Sequence, residues 1–279
     1  ISSLFDPFDD DCFYTTFTKD DRDLKWQIDS FGKVLKTASE TDLEANTTGT
    51  SGDDAYFLRS QVNKQTYFRS LSGADVVYGG DGDDYIETCT GGSIVDGGNG
   101  INIITALGDD DIIFGGNGLY DRIFAGSGND IIFANDGNDE IYPDTDYKGE
   151  HDDDIIRGGK GNDTIYSKYG NDTFIFDRGD GQDTIIEREG VDTLFFGNDI
   201  SWEDLQFTRD RDNMVITLLK DGEVTQDKIT IFNWFKNYKG DNTYRFENQK
   251  IEYFEFKDGS VHQMNEIPLE QDSQLAFIY

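Results

Sequence analysis

The sequence is poor in positive charge, proline, cysteine and histidine. Its 279 residues include 24 Lys and Arg against 57 Asp and Glu, which gives a formal net charge of −33. A chain this acidic repels phosphate, so nucleic acid is excluded as a general partner. No apolar run reaches the roughly 18 residues of a membrane helix, so we expect no integral membrane segment. The two cysteines, Cys12 and Cys89, match no metal-ligand spacing, and whether they form a disulfide stays open.

Other features of the composition indicate a folded piece of a longer protein. Apolar residues make up 35% of the chain, which is low for a compact domain. The 21 Phe and 14 Tyr are nevertheless too many for a disordered acidic chain. The first residue is Ile1, and it is not followed by the charged and then apolar stretch of a signal peptide. This beginning is typical of a segment of a longer protein. We therefore expect a fold whose self-repulsion is cancelled by a component outside the sequence.

Glycine is concentrated in a repeat with a period of nine. Of the 31 glycines, 23 lie within residues 70–186. Residues 79–87 read GGDGDDYIE, 125–133 read AGSGNDIIF and 158–166 read GGKGNDTIY, and further units begin at 70, 88, 97, 106, 115, 134, 149, 167 and 178. An isolated unit, GTSGDDAYF, occupies 49–57. A short period of this kind indicates a stacked repeat architecture.

The spacing within each unit predicts a turn followed by a short strand. Glycine permits the positive φ of a tight turn, and triplets such as Asp-Ile-Ile have the β-branched character of strands. Two units would make one coil with two strands, and successive coils would stack about 4.8 Å apart. The apolar eighth residues would form an inward ladder. They are Val77, Ile86, Val95, Ile104, Ile113, Ile123, Ile132, Ile141, Ile156, Ile165, Phe174 and Ile185.

The sixth residue of most units is Asp, and this pattern predicts calcium. We expect these acids to form two columns along the outer turns, one from odd and one from even units. Two unit charges 4.8 Å apart repel by roughly 3.5 kcal/mol at an effective dielectric of 20, so a metal-free coil should not form. Ca²⁺ accepts 6–8 oxygen ligands with flexible geometry. Mg²⁺ demands a tighter octahedron, and the thiol and imidazole ligands of zinc sites are missing.

The candidate metal ligands are the column acids and oxygens of the glycine-rich turns. One column would run Asp75, Ser93, Asp111, Asp130, Asp154, Asp172, and the other Asp84, Asn102, Asp121, Asp139, Asp163, Asp183, if the insertion at 143–148 leaves the alternation intact. The candidates in the turns are Asp109, Gly79, Gly126, Gly128, Gly159 and Gly161. Because Ser93 and Asn102 replace the acid, we expect weak or empty sites around residues 84–105.

The units GGDGDDYIE and GGKGNDTIY resemble the GGxGxDxUx nonapeptide of RTX (repeats-in-toxin) proteins. The resemblance implies an all-β fold, a parallel β-roll with several Ca²⁺ ions in its turns. It also implies export through a type I secretion apparatus, with the chain unfolded inside the cell and folded by external Ca²⁺. The expected location is therefore extracellular or at the bacterial cell surface, in service of a larger toxin-like or adhesin protein.

The flanks predict caps for the two ends of the roll. We divide the chain into an N-terminal capping segment (1–69, with strands near 12–18 and 24–35), the roll (70–186) and a C-terminal capping domain (187–279). The last of these resembles the domain that follows the repeats in haemolysin-like RTX toxins. Its strands are predicted at 192–196, 214–219 and 251–256, and the resemblance implies an export signal near the apolar end, 271–279. An independent β domain with its own ligand is the alternative for this region.

Two other functions stay open at this point. A polysaccharide-active enzyme on a β-helix needs basic residues in a groove, yet residues 70–186 contain only six Lys and Arg. His151, beside Asp152 and Asp153, could serve as a base, but no GxSxG or HExxH motif supplies a nucleophile or zinc site. We therefore expect no catalytic residue. A module that binds glycan or a host-cell surface through the aromatic-rich tail is the other alternative.

Overall fold

The computed structural model describes residues 41–43, 47–60, 65–144, 152–235 and 250–267. Within these ranges the protein has 22 β-strands and two short 3-10 helices, Trp202–Asp204 and Met264–Glu266. None of these helices has the length and apolar character of a membrane span. The predicted strands at 12–18 and 24–35, Cys12, His151 and the end of the chain at 271–279 lie outside the described residues.

Over residues 41–196 the strands alternate along the chain between two sheets of eleven strands each, and the pairing is parallel except among the C-terminal strands at one end of each sheet. In spatial order the odd sheet consists of β1 (Thr41–Leu43), β3 (Ala55–Ser60), β5 (Val76–Gly80), β7 (Ile94–Asp96), β9 (Ile112–Asn117), β11 (Ile131–Asp136), β13 (Ile155–Lys160), β15 (Thr173–Phe176), β17 (Asp192–Phe196), β21 (Ile251–Phe256) and β22 (Val261–Gln263). The even sheet consists of β2 (Thr47–Thr48), β4 (Gln65–Arg69), β6 (Asp83–Glu87), β8 (Ile103–Thr105), β10 (Arg122–Gly126), β12 (Glu140–Asp144), β14 (Thr164–Tyr166), β16 (Gln182–Ile186), β20 (Glu223–Ile231), β19 (Asn213–Lys220) and β18 (Leu205–Asp210).

This arrangement is a parallel β-solenoid of about seven turns, and it confirms the predicted β-roll. Each coil contributes one strand to each sheet, so units two apart in sequence lie side by side. The insertion after β12 does not disturb the alternation, because Ile132 still pairs with Ile156 and Ile141 with Ile165. Both sheets continue in register on either side of residues 145–151, which lie outside the described residues.

The predicted inward ladder is also confirmed. All twelve eighth-position side chains are buried, with at most 3% of their surface exposed. In the odd sheet Ile113 pairs with Ile132, and in the even sheet Ile104 pairs with Ile123. Burying a side chain of this size contributes about 1.5–3 kcal/mol, so the ladder is the main apolar core of the coil.

The C-terminal strands add to the end of the roll in two ways. Strand β20 pairs in parallel with β16 and continues into the antiparallel strands β19 and β18. Strand β21 pairs in parallel with β17. The strands predicted at 192–196, 214–219 and 251–256 are therefore confirmed as β17, β19 and β21.

Aromatic side chains fill the space between these last strands. Trp202 stacks on His262, with ring centroids 4.3 Å apart, and meets Phe254 edge-on at 5.7 Å. Phe196 of β17 stacks on Phe256 of β21 at 5.1 Å. The Ile ladder of the coils thus ends in an aromatic cluster. At the other end, β1 to β4 continue both sheets upstream of residue 70, and the division of the chain into three segments stays a prediction.

Candidate metal sites

The sixth-position side chains form two buried columns, and the strand register confirms that units two apart contribute to the same column. At most 8% of any of these residues is exposed. The odd column contains Asp54, Asp75, Ser93, Asp111, Asp130, Asp154, Asp172 and Asp192, and the even column contains Asp84, Asn102, Asp121, Asp139, Asp163 and Asp183. Two of these residues, Asp54 and Asp192, were not among the sequence-based candidates. Asp54 is the sixth residue of the isolated unit at 49–57, which was the available signal for it.

Most of these acids lie at the ends of the turns, immediately before the strands, but the expectation that they lie on the outside is wrong. The sixth and eighth residues of a unit are two apart at the start of a strand, and alternate residues of a strand point to the same face. The acids therefore face inward, next to the Ile ladder. This orientation removes the carboxylates from water and makes the cost of their charge larger than at a surface.

One oxygen of most column acids is used within the fold. The N–H of Asp111 donates to Oδ1 of Asp130 over 2.8 Å, and the N–H of Asp130 donates to Oδ1 of Asp154 over 2.8 Å. The even column repeats the pattern, since the N–H of Asp121 donates to Oδ1 of Asp139 over 2.6 Å. Each of these acids thus holds the start of the strand in the preceding coil, and its Oδ1 atom is satisfied without a metal ion.

The second oxygen of most column acids is buried without a hydrogen-bond partner. This is so for Oδ2 of Asp75, Asp111, Asp121, Asp130, Asp139, Asp154, Asp163 and Asp192. For Asp121, the nearby turn residue Gly115 shows which atoms surround the Oδ2 atom. A Cβ placed on Gly115 would lie 2.7 Å from the carbonyl oxygen of Ala134 and 3.2 Å from Oδ2 of Asp121. Two acceptor oxygens line this gap, and a cation would satisfy both.

At the two neutral column positions, a proton of the side chain satisfies the turn carbonyl oxygen that a cation would satisfy at the acidic positions. Asn102 Nδ2 donates to the carbonyl oxygen of Gly115 over 3.2 Å, and Ser93 Oγ donates to that of Gly91 over 3.2 Å. Asn102 also keeps the column bond, accepting the N–H of Asp84 at Oδ1 over 3.1 Å. A carboxylate at such a position has no proton to offer the turn carbonyl. The residues present therefore fit a bound cation at the acidic positions.

The turn glycines allow neighbouring turns to stack closely. A Cβ on Gly161 would lie 1.4 Å from the carbonyl oxygen of Gly137, which no side chain could tolerate. The candidates Gly126, Gly128 and Gly159 also have positive φ, between 94° and 117°. Gly79, by contrast, is the next-to-last residue of β5 and lies beside the column, where a Cβ would be 2.8 Å from Oδ2 of Asp84.

Asp109 lies apart from the buried columns. Its side chain is exposed, and its φ of 62° places it at a turn position where other units have glycine. A Cβ on Gly128 would lie 2.5 Å from the carbonyl oxygen of Asp109, so its backbone belongs to the stack of turns. Among the described residues, no three His, Cys, Asp or Glu side chains come together as a metal cluster. Backbone carbonyls would therefore supply many of the ligands, as Ca²⁺ permits.

Burial raises the pKa of most column acids. It raises the pKa of Asp111, Asp121 and Asp163 to about 8. Burial, together with the charges of Asp172 and Asp130, raises the pKa of Asp154 to about 10. The folded protein without metal therefore favours protonated columns, and ionised columns at neutral pH require a compensating charge.

This shift predicts an unusual pH dependence in EDTA. The folded state without metal binds protons more tightly than the unfolded chain, whose Asp side chains titrate near 3.9. Its stability is therefore greatest below about pH 4 and is lost as the pH rises through the raised pKa values, which run from about 6 for Asp75 to about 10 for Asp154. We expect more β-sheet signal in circular dichroism at pH 5 than at pH 8, with sedimentation run alongside to exclude aggregation. An equal or weaker signal at pH 5 would contradict buried, unpaired columns.

The neutral positions predict uneven calcium occupancy. Asn102→Asp removes the amide donor and places a carboxylate between those of Asp84 and Asp121, so we expect the variant to bind more Ca²⁺ per chain than the wild type in equilibrium dialysis. Leu119→Asp adds one acid at a residue that is 80% exposed and serves as the matched control. An unchanged Ca²⁺ count in Asn102→Asp would show that the column side chain does not decide occupancy.

Comparison with known families agrees with this geometry. The model for the RTX calcium-binding nonapeptide repeat matches four times, at residues 67–88, 90–118, 121–146 and 149–185. The model for the haemolysin-type calcium binding protein related domain matches residues 214–261. No curated protein gives a significant match. Repeats of this type bind several Ca²⁺ ions, so residues 67–185 contain the calcium-binding repeats that are found in RTX-type proteins.

Proposed function

We propose that this segment folds when it meets Ca²⁺ outside the cell, and that it serves a larger secreted toxin-like or adhesin protein. The observation that carries the proposal is the pair of buried Asp columns, whose second oxygens lack the donor that Asn102 and Ser93 provide at their own positions. A chain built in this way is stable only where Ca²⁺ is plentiful.

The proposed ligands are the column acids together with the carbonyl oxygens of the stacked turns. Bound Ca²⁺ would supply the positive charge that the columns lack. The protein's own part is positional: the Oδ1 bonds from coil to coil fix each carboxylate, and the turn glycines bring the carbonyls of adjacent coils close enough to share an ion. Acids of one column lie on successive coils, so binding at one turn would order the next.

The link to secretion rests on the family. RTX repeats are characteristic of secreted bacterial proteins, and the family is associated with type I secretion. An exporter that passes an unfolded chain requires that folding be delayed until export is complete, and a calcium requirement provides the delay. Repeats of this family are typically structural, so in this proposal the segment has no catalytic residue. The three-segment division and a host-surface or glycan partner belong to the same proposal.

Limited proteolysis at two Ca²⁺ concentrations tests the proposal. One buffer holds Ca²⁺ near 10⁻⁷ M, about the lower end of the range of cytosolic sensors, and the other near 10⁻³ M, about the range of extracellular modules. We expect rapid digestion in the first buffer and a protected fragment that spans both sheets in the second. Mg²⁺ at the higher concentration is the control and should give no protection. Equal protection in both buffers would contradict the proposal, because the chain would then be folded before export.

A further inference from the structure

Glu187 occupies a position where the earlier described coils of the even sheet have uncharged side chains. It follows β16 and lies inward, and only 1% of it is exposed. The register Tyr166↔Ile186 places Ser167 as its equivalent one coil earlier. The equivalents in earlier coils of the even sheet are also buried and uncharged: Ser70, Thr88, Ala106, Ala125 and Pro143. A carboxylate here is a departure from the repeat.

The equivalent serine one coil earlier satisfies its neighbouring column acid. Ser167 Oγ donates to Oδ2 of Asp172. Glu187 faces the next acid of the same column, Asp192, which is fully buried. The coil of Glu187 therefore has a carboxylate oxygen where the preceding coil has a hydroxyl donor. The turn after β16 contains two buried acids instead of one acid and one alcohol.

These two acids bring together three buried oxygens that receive no hydrogen bond from the rest of the described fold. Both oxygens of Glu187 and Oδ2 of Asp192 lack a donor from any other described residue, and the two carboxyl groups lie close enough for one to hydrogen-bond the other when it is protonated. Oδ1 of Asp192 accepts the N–H of Asp172 over 2.9 Å, as elsewhere in the column. The N–H of Asp192 in turn donates to Oε2 of Glu252, on β21, over 2.9 Å. The acid pair therefore lies at the joint between the last coil and the C-terminal strands.

We propose that Glu187 and Asp192 bind a Ca²⁺ ion of their own, a junction site that differs from the repeat sites. Two carboxylates match the charge of a divalent cation, and a ligand set of three carboxylate oxygens with backbone or water oxygens suits Ca²⁺. Residues 187–192 lie between the matched nonapeptide repeats and the matched C-terminal domain. Through the bond from Asp192 to Glu252, the junction site connects calcium binding to the docking of β21.

The test replaces Glu187 with the residue of the preceding coil. The full chain and its variant Glu187→Ser are compared by equilibrium dialysis with Ca²⁺ and by the Ca²⁺ midpoint of folding in circular dichroism. The control Glu189→Gln removes one negative charge at an exposed residue of the same turn. We expect Glu187→Ser to bind one Ca²⁺ fewer per chain and to fold at a higher midpoint, while Glu189→Gln keeps the wild-type count.

Two results would overturn the junction site. If Glu187→Ser keeps the full Ca²⁺ count and folds at a lower midpoint, Glu187 is a protonated buried acid whose removal relieves the fold. If Glu187→Ser does not fold, anomalous scattering from wild-type crystals grown with Ca²⁺ decides: a peak beside Glu187 supports the site, and its absence refutes it. Peaks at the repeat columns are scored separately, so the junction site can fail while the proposed function stands.

Discussion

In EDTA at neutral pH the protein is expected to lose most of the β-sheet signal that it shows in millimolar Ca²⁺. Neighbouring ionised column acids repel by roughly 3.5 kcal/mol per contact at 4.8 Å and an effective dielectric of 20. Several such contacts exceed the roughly 5–15 kcal/mol that stabilises a whole domain. The burial of these acids increases the cost. The repulsion within a single column of carboxylates, whose Oδ1 atoms accept hydrogen bonds and whose Oδ2 atoms do not, can therefore determine whether the coil folds.

Circular dichroism during a Ca²⁺ titration measures this effect. We expect one cooperative transition with a midpoint of about 10⁻⁴–10⁻³ M, the range of extracellular modules. Mg²⁺ is the matched control, since it prefers a tight octahedron and keeps its water, and it should not restore the signal. A β-sheet signal of equal size in EDTA would show that the columns do not oppose folding.

Removal of residues 190–279 is expected to abolish folding at millimolar Ca²⁺ or to raise the required concentration strongly. The truncation deletes β17, β20 and β21, so the edges of β15 and β16 lose their partners. It also removes the aromatic cluster around Trp202, Phe254 and Phe256, which covers the end of the Ile ladder. A repeat array folds from a fixed end, because each coil then adds to a formed template. Without that end, the acid-rich coils would have to form a nucleus alone.

The matched truncation removes residues 1–48 and should cost much less. Among the described residues it deletes only β1 and β2, which have three and two residues. Calcium titrations of both truncations give the comparison. If the form without residues 190–279 folds at the midpoint of the intact protein, the C-terminal strands neither cap nor nucleate the roll.

The repeat made most of the coil predictable from sequence. A period of nine with an apolar eighth residue determines which side chains share a rung, and Ile132 and Ile156 pair accordingly despite the insertion between them. The inward direction of the acids was also available from the two-residue alternation of strands, and the expectation of outer columns neglected it. Asp54 was likewise predictable from its own unit, 49–57, in which it is the sixth residue.

The contacts between the C-terminal strands and the last coil could not be predicted from the repeat period. The pairing of Gln182 with Lys228 joins strands that no period connects, and it depends on packing between segments distant in sequence. The strands β17, β19 and β21 could be located from their alternating residues, but not the sheet that each one would join. Glu187 was missed because it looks like a polar residue after the last unit, and only the fold shows it to be buried beside Asp192.

The most direct test of the calcium columns is the anomalous difference map of crystals grown in millimolar Ca²⁺. We expect peaks beside the unpartnered Oδ2 atoms of acids such as Asp111, Asp130 and Asp154, between carbonyls of successive turns, and weak or missing peaks at Ser93 and Asn102. Fully ligated Ca²⁺ at Ser93 and Asn102, or a folded coil with no ion beside the column acids, would contradict the account.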